Sequence, residues 1–179
     1  YYYKVYANGT RLDFCLYVDD VWLYDNAGKL ADADLAALNQ RFKLKITEKP
    51  EHFLNMNIHV LSPTRVRLTS EAYVLAMADK YVPKWRDRAP VAMPATDALL
   101  KAYERALERE HKPTASELQS FRGKVGALIY TSPCTRPDAC CAISRLSRAQ
   151  TFPTPELESM ADDVIVYLAQ TATRGITFD

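Results

Sequence analysis

The chain has 179 residues, with 23 basic and 22 acidic side chains, a net charge of +1, a hydrophobic fraction of 48% and 4 cysteines. That is enough apolar material for a core without disulfide or metal staples, which excludes a disordered, collagenous or mini-protein class. The near-neutral sum hides a division: residues 1–40 carry −3, residues 41–148 carry +8 from 19 basic and 11 acidic groups, and residues 149–179 carry −4. A basic middle is the footprint of a polyanion, and an acidic start suits a cation.

Residues 12–24 are two strand-forming runs around Asp19-Asp20, which predicts a tight hairpin with that pair at its turn. Asp32 or Asp34 then caps a helix to about Lys43, with Leu35, Leu38 and Phe42 on one face. A second hairpin is expected from Phe53–Val60, a Ser62-Pro63-Thr64 turn and Arg65–Thr69. Ser70 caps a helix to about Tyr81, and Pro83, Pro90 and Pro94 mark 83–97 as a linker or boundary.

Helices follow at Ala98–Glu110, from a Thr114/Glu117 capping box to about Tyr130, from Pro137, and from Pro155 to a point before Gly175. Strands first and helices after mean an α+β fold, with antiparallel hairpins and a mostly helical remainder. The expected division is 1–69, 70–112 and 113–179. No run of about 20 apolar residues could span a bilayer, and Tyr1-Tyr2-Tyr3-Lys4 does not resemble a secretory leader, so the expected setting is intracellular, cytoplasmic or nuclear. The missing initiator Met suggests a piece of a longer chain.

Cys15, Cys134, Cys140 and Cys141, with His52, His59 and His111, have no zinc-type spacing, so no zinc is expected. Cys140 and Cys141 are expected to be small buried hydrophobes. Adjacent carboxylates at a hairpin tip repel each other unless a cation is near, and hard Mg²⁺ takes carboxylate oxygens together with substrate phosphates. Asp162-Asp163, on an amphipathic helix, is expected to be a solvated face.

Tyr17-Val18-Asp19-Asp20 matches the Tyr-x-Asp-Asp motif of reverse transcriptases, and the chain beyond it resembles the Ty1/copia type. Phe42-Lys43-Leu44-Lys45 and Phe53-Leu54-Asn55-Met56 follow in family order. So do Gly126-Ala127-Leu128-Ile129-Tyr130, Thr135-Arg136-Pro137-Asp138 and Ser144-Arg145-Leu146-Ser147-Arg148, then Tyr167-Leu168, Thr171 and Gly175. The resemblance implies an RNA-directed DNA polymerase using two Mg²⁺ ions, or Mn²⁺, at Asp19 and Asp20. It also implies that Tyr17 and Val18 border the primer end and incoming nucleotide, that Lys43 and Lys45 border its phosphates, and that Phe53, Leu54, Asn55 and Met56 form a primer grip.

By the same resemblance, Lys80, Lys84, Arg86 and Arg88 would track a nucleic-acid backbone in a thumb. Arg136 and Asp138 would serve the fold of a connection region. The implied partners, in a full-length parent, are an RNA template with its DNA primer, deoxynucleotides, and the fingers and ribonuclease H parts of a polyprotein. Asn55 replaces a family glycine, and Asp13 is the only carboxylate upstream of the hairpin. The isolated chain is therefore expected not to polymerise. The competing readings are a non-catalytic transposon remnant binding nucleic acid or a protein partner, and an unrelated metal-dependent nuclease hairpin.

Overall fold

A computed structural model describes residues 1–108 and 112–179, in two compact units, Tyr1–Leu54 and Asn55–Asp179. The division falls after Leu54, neither after Thr69 nor within 83–97. The fold is α+β with antiparallel sheets, as expected.

In the first unit, β1 (Tyr2–Val5), β2 (Arg11–Tyr17) and β3 (Asp20–Asp25) form a sheet in that order, followed by α1 (Lys29–Phe42) and the two-residue β4 (His52–Phe53). The register Tyr17↔Asp20 makes Val18 and Asp19 the loop, one residue earlier than expected, with Asp20 on the strand. This register sets Leu16 against Val21 and Phe14 against Leu23. A loop at Asp19-Asp20 would instead set Asp25 against Phe14, so apolar cross-strand pairing selects the shorter turn.

Asp25 is thereby released to accept hydrogen bonds from the Ala27 and Gly28 amides, at 3.0 and 2.9 Å. Gly28, at φ 52, turns the chain so that α1 begins three residues before Asp32. Neither Asp32 nor Asp34 caps it; Asp34 binds Lys4 at 2.6 Å and accepts from the Tyr6 hydroxyl at 2.6 Å. That bond to a carboxylate, aided by desolvation, pushes the Tyr6 hydroxyl up to about 12. Leu35 and Leu38 are half-buried, but Phe42 is 60% exposed. Leu12 and Ala31 are the buried hydrophobes of this unit.

The second unit opens with β5 (Met56–Ser62) and β6 (Arg65–Thr69), and the chain returns at its end as β7 (Gly175–Phe178) beside β6. The expected strand from Phe53 is interrupted, because Leu54 and Asn55 take φ of 48° and 58°. Asn is among the few non-glycine residues that visit this region readily, so Asn55 holds its part of the bend without a glycine. Strand β7 was absent from the expectation. It needs Gly175, since a Cβ there would lie 1.9 Å from the Leu68 carbonyl oxygen.

Between these strands lie α2 (Glu71–Tyr81), a 3₁₀ turn (Trp85–Asp87), α3 (Asp97–Glu108), α4 (Ala115–Cys134), a 3₁₀ turn (Pro137–Ala139), α5 (Cys140–Arg148) and α6 (Pro155–Gln170). The end of the helix expected at Ala98–Glu110, and His111, lie outside the described residues. Thr114 and Glu117 form the expected capping box. Ser70 precedes α2, but its hydroxyl turns inward to Thr135 at 2.7 Å, and Asn57 accepts from the Ala72 amide instead. The 83–97 stretch is no free linker, since Val82 and Trp85 are buried and the Trp85 indole donates to Asp79 at 2.9 Å.

Helix α6 is the centre, packing against α2, α3, α4 and α5. Residues Val164 to Ala169 are all buried, so it is apolar on every side over its last turns. Each fully buried Leu or Ile there contributes roughly 1.5–3 kcal/mol. Cys140 and Cys141 are exposed, contrary to expectation, because Ala142, Ile143 and Leu146 take the buried face of α5. Asp162 and Asp163 are not a solvated face either: both are half-buried, Asp162 paired with Lys124 at 2.6 Å and Asp163 with Arg88 at 2.5 Å.

Arg136 is 1% exposed. Its Nε and Nη2 donate to Asp138 at 3.0 and 2.9 Å, Nη1 to the carbonyls of Leu168 and Thr171, and Nη2 to the Thr171 hydroxyl at 2.7 Å. Tyr167 donates to Asp138 at 2.7 Å. Burial raises the Asp138 carboxyl, but the hydrogen bonds from Arg136 and Tyr167 outweigh it and hold the group below its ordinary 3.8.

Arg136→Ala strands Asp138 and the last carbonyls of α6, and is expected to cost about 3–5 kcal/mol in urea unfolding of the chain. Because the folded value of Asp138 is depressed, its stabilisation is complete above the ordinary value and is lost as pH falls from 3.8 through the lower folded value. Asp138→Asn is expected to flatten that acid limb; an unchanged slope between pH 5 and 3 contradicts it.

Candidate functional site

The tip of the β2–β3 hairpin carries the two carboxylates. Val18 stands at φ 55 and Asp19 is not among the positive-φ residues, the type II′ pattern that suits glycine at the first central position. A β-branched residue there is strained. Val18 is 82% exposed, so no packing contact offsets the strain. Along the strands, Asp20 shares a face with Tyr17 and Trp22, opposite the face of Leu12 and Phe14, which lines an open cleft with Ala37 and Leu38 of α1.

Asp19, Asp20 and Trp22 line an open cleft of about 530 Å³, walled on its other side by Lys45, Glu48 and Phe53. The Trp22 and Phe53 rings meet at 5.3 Å, tilted by 58°, and set the floor. Lys45 thus lines the same cleft as the carboxylates. Lys43 does not line the cleft: it ends α1 in the left-handed region at φ 51, donating its amide to Asn39. Glu48 and His52 also line the cleft, and neither was singled out from sequence, since only the return of the 44–53 segment brings them there.

Tyr17 is 59% exposed at the mouth of the turn. Of the expected primer-grip residues, Phe53 is fixed by Trp22, Leu54 and Asn55 form the bend, and Met56 starts β5 in the second unit.

Asp13 shares the face of Asp20 but lies four residues back along β2, about 13 Å away. It is also committed: Tyr1 donates to it, as does Arg11 Nε at 2.8 Å, and these bonds hold its carboxyl below the ordinary range despite some desolvation. Among the described residues no three Asp, Glu, His or Cys side chains gather as metal ligands. Asp19 and Asp20 therefore match a hard divalent cation in donor type, and fall short in number of the six oxygens that Mg²⁺ takes.

The basic cluster divides. Arg86 pairs with Asp79 at 2.7 Å and Arg88 with Asp163, while Lys80 and Lys84 make no ion pair with a described carboxylate. Lys80 lies over the Tyr81 ring. No helix of the described residues is long and apolar enough to cross a membrane.

Four curated proteins match, among them three that align over nearly the whole chain. A retrovirus-related Pol polyprotein from transposon RE1 of Arabidopsis thaliana is 31% identical over 173 residues, which is 96% of this chain and 11% of that protein. Its relatives are Ty1/copia-type retrotransposon Pol polyproteins. The Pol polyprotein from transposon RE2 of the same plant is 32% identical over 96% of this chain, and that from transposon TNT 1-94 of Nicotiana tabacum is 25% identical over 99%. The chain spans 11%, 11% and 13% of the lengths of these three relatives. No family model and no solved structure matches.

The strain at Val18 is directly measurable. Val18→Gly is expected to stabilise the first unit by about 1 kcal/mol, read as slower amide exchange in β2 and β3. Equal or faster exchange contradicts it.

Proposed function

We propose that this chain is a segment of an RNA-directed DNA polymerase within a retrotransposon polyprotein, and that Asp19 and Asp20 are its contribution to the nucleotidyl-transfer centre. The reading rests on one observation above the rest: the Tyr17-Val18-Asp19-Asp20 segment forms a strained two-residue hairpin whose carboxylates share a cleft with Lys45. The Pol relatives support it, since they are 96% to 99% aligned over this chain.

In this reading Asp19 and Asp20 hold Mg²⁺, or Mn²⁺, together with carboxylates from elsewhere in the polyprotein. When bound, the ions supply Lewis-acid stabilisation of the attacking and leaving oxygens. Lys45 faces the same space and neutralises charge on the leaving pyrophosphate, without needing Lys43. Tyr17 and Val18 border the nucleotide from the turn. Phe53, packed on Trp22, lines the same cleft as the carboxylates and serves to position a primer terminus. Template, primer duplex and deoxynucleotides are the partners, with Lys80 and Lys84 the exposed cations left to track a backbone.

The test is primer extension by the longer polyprotein carrying Asp19→Asn, with folding checked by circular dichroism. Synthesis is expected to fall by about 100-fold or more. Retained synthesis removes Asp19 from the mechanism.

A further inference from the structure

The second unit contains a cleft that the polymerase reading does not use. It lies where Arg67 on β6 and Thr177 on β7 stand directly opposite each other, beside the Thr135–Asp138 loop and the Thr173–Gly175 turn, with a volume of about 490 Å³. Three guanidinium groups line it. Arg136 is fully occupied by Asp138, two carbonyls and Thr171. The carboxylate of Asp138 is in turn taken up by Arg136 and Tyr167, so its charge is compensated from within the fold.

Arg67 and Arg174 are in a different position. Arg67 Nε reaches the Thr177 hydroxyl at 3.4 Å, and Arg174 donates to the Tyr167 hydroxyl at 3.1 Å; neither forms an ion pair with a described carboxylate. Two guanidiniums therefore face one polar cleft with neutral oxygens as their partners, whereas the buried cations Lys124 and Arg136 are matched by acids. The hydroxyls of Thr173 and Thr177 add donors at the same place. Planar guanidiniums with free N–H edges match the oxygens of a phosphate, and a phosphate would remove their mutual repulsion.

We propose that this cleft binds a phosphate oxyanion, clamped by Arg67 and Arg174 with the hydroxyls of Thr173 and Thr177. The phosphate is either a backbone group of a nucleic acid or a free phosphate. The site is independent of Asp19 and Asp20, so it stands or falls separately from the polymerase reading.

The experiment uses the full 179-residue chain in buffer without divalent cations, with inorganic phosphate as one probe, by isothermal calorimetry, and a short fluorescent RNA–DNA duplex as the other, by anisotropy. Arg174→Gln sits on an exposed turn, and Arg67→Gln is the second variant, each checked for native circular dichroism. Both variants are expected to weaken phosphate or duplex binding by about 10-fold, and the salt dependence of duplex binding to lose roughly one unit of slope. Loss for both probes, with inorganic phosphate competing against the duplex, marks a site open to free phosphate; loss for the duplex alone marks a backbone contact. Binding unchanged in both folded variants, or no saturable binding of either probe to the parent chain, overturns the proposal.

Discussion

A single buried guanidinium organises the larger unit. Arg136 carries its charge into a place that is 1% exposed, and every hydrogen-bonding edge of it is used. The carbonyls it binds, at Leu168 and Thr171, belong to the end of α6, where a helix leaves its last acceptors without partners. Satisfying them stops the helix at a defined residue and directs the chain into β7. The same group fixes the loop between α4 and α5 through Asp138. Removing a partner from such a network leaves an uncompensated charge in an apolar core, which is why the arrangement behaves as a unit.

The charge division along the chain has a related explanation. The basic middle and the acidic end meet within the second unit: Arg88 with Asp163, Lys124 with Glu158 and Asp162, and Arg105 with Glu156. Burial works against the Lys124 charge, but the hydrogen bonds that its ammonium donates to Asp162 and Glu158 outweigh it and keep the ammonium above its ordinary value. Part of the apparent polyanion footprint is thus internal pairing. The acids of α6 complete the surface of this helix against α3 and α4. Among the cations with no acid partner in the described residues are Lys80 and Lys84 at one place, and Arg67 and Arg174 at another.

The first unit shows the opposite economy. Its buried hydrophobes are Leu12 and Ala31, while Tyr17 and Val18 are exposed and Val18 holds a backbone conformation that suits glycine. A small core combined with a strained turn is poor for stability and suited to presenting groups at a fixed point. The two carboxylates sit there because cross-strand pairing of Leu16 with Val21 and Phe14 with Leu23 sets the turn, and Lys45 joins them because α1 ends at Lys43 in the left-handed conformation.

Patterns local in sequence were legible without coordinates. The hairpin around Asp19, the helix to Tyr81, the Thr114–Glu117 cap, and Pro137 and Pro155 as first helical residues all follow from short-range rules of turn, cap and periodicity, and so does the α+β class. Which carboxylate lies in the turn was not local, because the one-residue choice depends on what Asp25 faces across the sheet. Strand β7 needed a partner 110 residues away in Arg67, and the ring contact of Phe53 with Trp22 needed the 44–53 segment to fold back. Cys140 and Cys141 face outward, and Asp162 and Asp163 inward, because neighbouring helices decide which side of a helix is buried. The sequence alone determined most of the elements and which residue types stand at the hairpin tip. Only the tertiary structure decided which charges cancel inside the fold and which stay available, since pairing is a matter of distance across the structure rather than along the chain.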